Sequence, residues 1–155
     1  MKLCSVCHQV FSDDATQCLE HGEQLKPDAI VGTHLGRFLV SDWLGEGGMG
    51  VLYRAEHTAI KRKAAVKVIK REFTADETAA GRFEQEARAV ARIGHPNLID
   101  IFDIGTTPDG RLYYIMELLE GQSLADKMCK QRLRFSEFAP IMLQVFAALE
   151  AKLGR

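Results

Sequence analysis

The chain has 155 residues, of which 46% are hydrophobic and 26% charged, with a formal net charge of −1. This composition is that of an ordinary globular protein, long enough for one core or for one domain with a small appendage. The charge gives no general attraction to nucleic acid or to an anionic membrane, and no apolar run approaches the roughly 18 residues of a membrane span, so we expect partners of neither kind.

The first 25 residues hold three of the four cysteines. They lack the apolar stretch of a secretory signal, so we expect a cytoplasmic protein with reduced thiols, which favour metal binding over disulfides. The spacing is Cys4-x2-Cys7-x10-Cys18-x2-His21. Two turns with two soft ligands each suit tetrahedral Zn²⁺, and so short a segment needs a metal to fold. Residues 1–25 therefore resemble a Cys3His zinc ribbon with a closed, structural site; the alternative is a disordered tail with incidental cysteines.

Two details of the N-terminal region bear on its turns and its boundary. Gly22 follows the second ligand pair and suits the positive φ of such a turn, whereas His8 takes the matching place after Cys7, where glycine would be easier. Residues 26–36 contain Pro27, Gly32 and Gly36 and are predicted to form a linker.

From Arg37 onward, strand-like segments alternate with turns and predict an antiparallel meander. The stretch LGEGGMGVLYRAEH, residues 44–57, places four glycines between Gly45 and Gly50. A strand and not a helix follows them, which excludes a dinucleotide-binding fold, and the Gly-Lys-Ser/Thr ending of a Walker loop is missing. The pattern that remains is a glycine-rich hairpin whose backbone N–H groups can lie over phosphates.

Lys67 lies in the middle of an apolar strand, residues 64–69, where its ammonium is costly without a partner. A solvent-facing lysine is the alternative. The next segment is a predicted helix with Gly94 at its end, and its apolar face consists of Phe83, Ala87, Val90 and Ala91. Glu86 is placed on that buried face, whereas Glu84 points outward. We therefore expect Glu86 to be the partner of Lys67.

Four segments together resemble a protein kinase N-lobe, most of all that of the bacterial Ser/Thr kinases of eukaryotic type. They are LGEGGMGVLYRAEH, AAVKVI, RFEQEARAVARIGHPNLI and LYYIMELLEGQSL, and they occur in the family's order from Arg37 to the end. The resemblance implies an α+β fold. The N-lobe, a five-stranded antiparallel sheet with one helix, would span residues 37–120, and two helices of the C-lobe would follow over residues 121–155.

The resemblance also implies ATP as cofactor and assigns roles to residues. Lys67 would hold the α- and β-phosphates and Glu86 would fix Lys67, which makes these two the expected catalytic residues. Met116 matches the gatekeeper beside the adenine, and the hinge follows it. The complete expected ATP-contacting set is Leu44, Gly45, Glu46, Gly47, Gly48, Gly50, Leu52, Ala65, Lys67, Met116, Glu117 and Leu119.

Helices are predicted over residues 123–131 and 136–153, the second with Ser136 as N-cap. The family's His-Arg-Asp loop and Asp-Phe-Gly motif do not occur in the 155 residues. The ligands of Mg²⁺, the family's expected metal, are then absent, and this chain alone should transfer phosphate poorly or not at all.

Two interpretations follow. The favoured one is the ATP-binding portion of a longer Ser/Thr kinase that acts on protein hydroxyls, because Lys67 and Glu86 are retained. The alternative is a catalytically inactive zinc-ribbon or pseudokinase-like module that binds a regulatory protein partner. Under either interpretation the helix over residues 136–153 has an apolar stripe that favours self-association unless it is covered. The members of the stripe are Phe138, Met142, Val145, Leu149 and Leu153.

Overall fold

The computed structural model describes residues 1–153. Its strands are β1 (Lys2–Leu3), β2 (Val10–Phe11), β3 (Lys26–Pro27), β4 (His34–Leu35), β5 (Phe38–Glu46), β6 (Gly50–His57), β7 (Lys63–Ile69), β8 (Ile101–Thr106) and β9 (Leu112–Glu117). Its helices are α1 (Glu77–Ile93), α2 (Leu124–Lys130) and α3 (Phe135–Leu153), and a 3-10 turn spans Arg71–Phe73.

The larger sheet has six antiparallel strands in the order β4-β5-β6-β7-β9-β8. The predicted α+β meander is confirmed, with the short β4 as an additional edge strand. Alternation along β7 sends Val66 and Val68 into one core and Ala65 and Ile69 into another, on the opposite face of the sheet. Helix α1 covers the second face with the buried Phe83. Each face of the sheet therefore has its own core.

Residues 26–36, predicted as a linker, are packed against the rest of the fold. β3 pairs with β1 and β4 pairs with β5, while Ile30, Val31 and Leu35 are buried in the first core. The carboxylate of Asp28 accepts from the N–H groups of Ile30 and Val31 at 2.7 and 2.8 Å and from the hydroxyl of Tyr53 at 3.0 Å. The segment differs from the prediction because its apolar side chains find a sheet face to cover, which its Pro and Gly content does not indicate.

Helix ends follow the expected chemistry, with one exception. Asp76 caps α1 by accepting from the N–H groups of Thr78 and Ala79, and Gly94 ends it with φ of 56°. The prediction of Ser136 as the N-cap of α3 is wrong, because the helix begins at Phe135 and Ser136 lies within its first turn. The N–H of Arg134 instead donates to Glu137 Oε2 at 3.1 Å, as in one half of a capping box.

Helix α3 leaves much of its predicted apolar stripe open to solvent. Phe138, Val145, Leu149 and Leu153 are all exposed. Self-association through this surface, the 138–153 stripe, stays a prediction. Within residues 1–153, none of the helices has both the length and the apolar character to cross a membrane.

Candidate functional site

Lys67 on β7 and Glu86 on α1 lie in contact, with 3.1 Å between Lys67 Nζ and Glu86 Oε1. The predicted proximity of these two residues is therefore observed. The predicted burial of Glu86 is wrong: its side chain is 52% exposed, whereas that of Lys67 is 24% exposed. Phe83 and Ala87 fill the buried face of the helix, and Glu86 lies at the rim of that face.

Tyr114 is a third member of this cluster, which sequence reasoning missed. It lies on β9 directly opposite Lys67, and its hydroxyl donates to Glu86 Oε1 at 3.1 Å. Burial lowers the pKa of Lys67, but the interactions with Tyr114 and Glu86 outweigh that effect, so the pKa lies above its usual value. The ammonium is therefore fully charged at neutral pH. The sequence predicts the strand that carries Tyr114. It does not predict that Tyr114 lies opposite Lys67, because the register between neighbouring strands cannot be read from it.

The glycine-rich hairpin joins β5 to β6, and the Gly47 N–H donates to the Gly50 carbonyl at 2.9 Å. A Cβ on Gly50 would lie 3.1 Å from both Lys67 Cγ and the Val68 carbonyl oxygen, so these neighbours would have to move slightly to admit a side chain there. A Cβ on Gly45, Gly47 or Gly48 would meet no atom within 4 Å. The fold does not need these three glycines, which leave open space around the hairpin.

The remaining loop residue of the expected set, Glu46, points to the side of the hairpin. Its carboxylate lies 3.8 Å from Lys70 Nζ and is mostly exposed. The N–H of Lys70 also donates to the carbonyl of Met49 at 3.0 Å. The tip of the hairpin is thus attached to the end of β7, close to the strand that carries Lys67.

A cavity of about 490 Å³ opens between the sheet and the segment after β9. This volume lies in the range of small-molecule sites. Six residues of the expected set line it, namely Leu44, Leu52, Ala65, Met116, Glu117 and Leu119. Its lining also includes residues outside the expected set, namely Arg54, Ile99, Leu118, Glu120 and Gly121. The four loop glycines, Glu46 and Lys67 are not part of this lining; they belong to the adjoining hairpin and strand.

A second candidate site lies in the N-terminal module, residues 1–27, where Cys4, Cys7, Cys18 and His21 place their ligand atoms within 4.8 Å of one another. Cys7 Sγ and Cys18 Sγ are 3.9 Å apart. Two thiolates on a tetrahedral zinc with bonds of about 2.3 Å would be about 3.8 Å apart. The backbone N–H of Cys7, with that of Val6, lowers the pKa of Cys4 against the opposite effect of its burial. The arrangement is compatible with a zinc site.

Both turns of this cluster have the conformation that their spacing suggests. The N–H of His8 donates to the Cys4 carbonyl at 3.0 Å, and the N–H of Gly22 to the Cys18 carbonyl at 2.8 Å, with φ of 57° and 65° at the two donors. Positive φ costs a non-glycine residue roughly 1–2 kcal/mol. The His8 ring stacks on that of Trp43 in β5 with 3.8 Å between the ring centroids, and this contact joins the module to the sheet.

Comparison with known proteins assigns the class. The protein kinase domain family matches residues 38–151, so the chain belongs to that family. It is 45% identical over 98 residues to the serine/threonine-protein kinase Pkn1 of Myxococcus xanthus, a match that covers 63% of this chain and 14% of Pkn1. It is 34% identical over 124 residues to pkn3 of the same organism, covering 79% of this chain and 23% of pkn3.

Solved structures of kinase domains are similar to this chain as well. The kinase domain of Mycobacterium tuberculosis PknI superposes with a TM-score of 0.68 at 27% identity, covering 79% of this chain and 49% of that one. The chain thus represents a bacterial Ser/Thr kinase fold and spans less than a quarter of the length of the two Myxococcus relatives and about half of the PknI domain.

Proposed function

We propose that this chain is the ATP-binding portion of a Ser/Thr protein kinase, an enzyme that transfers the γ-phosphate of ATP to hydroxyl groups of a protein substrate. One observation carries the proposal: the Lys67–Glu86 contact of 3.1 Å lies beside a hairpin with three glycines that the fold itself does not need. Backbone N–H groups free of side chains and a charged ammonium are the elements that hold a polyphosphate.

The adenine would occupy the cavity of about 490 Å³ beside this cluster. Leu52 and Ala65 supply apolar contacts on the sheet side, and Met116 lies opposite Ala65 in the β7–β9 register. The N–H of Glu117 already donates to the Asp100 carbonyl at 3.0 Å. Hydrogen bonds to the base would therefore come from the other backbone groups of residues 117–119.

Magnesium would neutralise the phosphates in the family's reaction, but the 155 residues contain neither motif that supplies its ligands. Asp109, in the turn between β8 and β9, is paired with two arginines: its Oδ2 lies 2.7 Å from Arg71 Nη2 and 3.0 Å from Arg111 Nη2. No step of phosphoryl transfer is assigned to residues of this chain, and we expect no turnover from the 155 residues alone.

Calorimetric titration of the 155-residue protein with ATP and with adenosine tests the proposal. Because Lys67 is proposed to contact phosphates, Lys67→Met should weaken ATP binding at least about tenfold, the effect of a lost charge-assisted contact, and leave adenosine binding unchanged. Lys63→Met removes an exposed lysine from the same strand and should change neither affinity. Equal affinity of the parent protein and Lys67→Met for ATP would overturn the assignment, and would favour the alternative of an inactive interaction or regulatory module.

We further propose that the Cys3His cluster binds one structural Zn²⁺. Four soft ligand atoms within 4.8 Å leave no open coordination position for catalysis. Metal analysis of the purified protein should give one zinc per chain, and Cys18→Ser should lose it. Cys129→Ser alters an exposed cysteine on α2 and should retain it. A parent protein without bound zinc after purification in zinc-containing medium would contradict the site.

A further inference from the structure

The Lys67–Glu86 ion pair is partly open to solvent, although the proposed phosphate site depends on it. The Glu86 side chain is 52% exposed. An exposed ion pair adds little stability, because water screens it and two long side chains lose their freedom to form it. The Lys67 side chain is 24% exposed, so the more mobile partner is Glu86, and a further contact to its carboxylate would fix the pair.

Tyr114 has the properties of such an anchor. It is only 4% exposed, and its hydroxyl donates at 3.1 Å to Glu86 Oε1, the same oxygen that contacts Lys67 Nζ. Its strand lies between β7 and β8 in the sheet, so its backbone is fixed on both sides. Its ring centroid is 5.0 Å from that of Phe83, three residues before Glu86 on α1.

We propose that Tyr114 is a positioning residue of the phosphate site, whose hydroxyl fixes the Glu86 carboxylate and thereby the place of the Lys67 ammonium. The proposal rests on the nucleotide site proposed above. A tyrosine has only two side-chain torsions, and here both ends of its ring are held, so the hydroxyl is a rigid reference point. Lys67 lies directly opposite it in the strand register.

Tyr114→Phe tests this role because it removes one buried hydroxyl and opens no cavity. We expect ATP affinity to fall about three- to tenfold, the range of a lost hydrogen bond to a charged group, with adenosine affinity unchanged. A purely structural contribution of Tyr114 would weaken both ligands alike. In a Glu86→Ala background the Tyr114→Phe change should cost less ATP affinity than in the parent, because the carboxylate that it positions is gone and only the direct interaction of the hydroxyl with Lys67 remains.

Tyr113→Phe is the matched control. Tyr113 is the neighbouring residue on β9 and is similarly buried, but it belongs to the core on the opposite face of the sheet. Removal of the Tyr113 hydroxyl should change neither the ATP affinity nor the adenosine affinity.

The outcomes separate the two proposals. Unchanged ATP affinity in Tyr114→Phe, or an equal loss for ATP and adenosine, overturns the positioning role while the nucleotide site stands. If the parent protein itself binds ATP no more tightly than adenosine, the phosphate role of Lys67 fails and the role of Tyr114 fails with it.

Discussion

At the scale of single residues, the hairpin glycines divide into two kinds. Gly50 is closely packed, since a Cβ there would lie 3.1 Å from the Val68 carbonyl oxygen and from Lys67 Cγ. Gly47 has open space where its Cβ would stand. Stability and ligand affinity should therefore respond differently to alanine at these two positions.

Gly50→Ala should lower the free energy of unfolding by about 1–3 kcal/mol, because backbone and side chain must shift to admit the methyl group. Gly47→Ala should leave the free energy of unfolding nearly unchanged and should weaken ATP binding, since the added methyl group intrudes on the space proposed for the phosphates. Urea denaturation and ATP titration of both variants measure these effects. A Gly47→Ala variant with the parent's ATP affinity would argue against a ligand beneath the hairpin.

The residues of the candidate site were only partly predictable from the sequence. Lys67 and Glu86 were recognisable because each stood out from an apolar pattern. The exposure of the Glu86 side chain was not predictable, because a helical pattern defines the buried face only to within a residue or two. Glu86 lies at the rim of that face. Tyr114 was missed since cross-strand neighbours depend on a register that single-strand patterns do not give.

At the scale of elements, the turn between β8 and β9 is joined to the segment that precedes α1. Asp109 contacts Arg71 of the 3-10 turn at 2.7 Å and the buried Arg111 at 3.0 Å. Burial raises the pKa of Asp109, but the hydrogen bonds from Thr107 and Arg111 and the charge of Arg71 outweigh it, so the pKa lies below its usual value. The carboxylate thus stabilises the native state while it is ionised.

Asp109→Asn should cost about 1.5–3 kcal/mol of the free energy of unfolding at pH 7, the range for hydrogen bonds to charged groups. The native pKa lies below the unfolded value of 3.8, so the stabilisation is complete above pH 3.8 and disappears as the pH falls through the native pKa. The difference between parent and variant should therefore shrink in acid, as urea denaturation at pH 7 and below pH 3.8 would show.

Glu84→Gln is the control for this prediction. Glu84 forms an exposed pair with Arg88 one helical turn away, and its loss should cost no more than about 0.5 kcal/mol. A stability difference between the parent and Asp109→Asn that is the same at both pH values would contradict the role given to the carboxylate.

Most elements of the kinase fold were predictable, because β5 to β9 and α1 follow strong alternating or helical patterns. The segment before β5 was not, since its glycines and proline suggest a loop while Ile30 and Leu35 are buried by contacts far away in the sequence. Helix α3 begins at Phe135 and not after the predicted cap Ser136, because the Arg134 N–H donates to the Glu137 carboxylate in place of a serine cap.

At the scale of the whole molecule, the N-terminal module and the kinase sheet share an interface. The ring of His8 in the module stacks on that of Trp43 with 3.8 Å between the centroids, and Asp28, the residue directly after the module, accepts from the Tyr53 hydroxyl at 3.0 Å. The kinase sheet was predictable, and the N-terminal cysteine cluster is compatible with the predicted zinc site. The docking of the two parts was not predictable, because long-range contacts between separate patterns leave no local signal. Trp43 is the single tryptophan of the chain, so its fluorescence reports on this interface directly.

Removal of metal by a strong chelator should unfold residues 1–25 and break the His8–Trp43 stack, because so small a module depends on the metal for its folding. The Trp43 emission should then move toward that of an exposed tryptophan. His8→Ala should produce a similar change with zinc retained, whereas His34→Ala, at an exposed site on β4, should produce none. Emission that is identical before and after complete removal of the metal would contradict the dependence of the interface on the zinc site.

The most direct test of the nucleotide site is a map of backbone amide shifts by NMR during titration with a non-hydrolysable ATP analogue. The proposal predicts that the largest shifts fall on residues 45–50, on Lys67 and on residues 116–119, with the N-terminal module and α3 little changed. Shifts confined to other surfaces, or no shifts at saturating analogue, would contradict it.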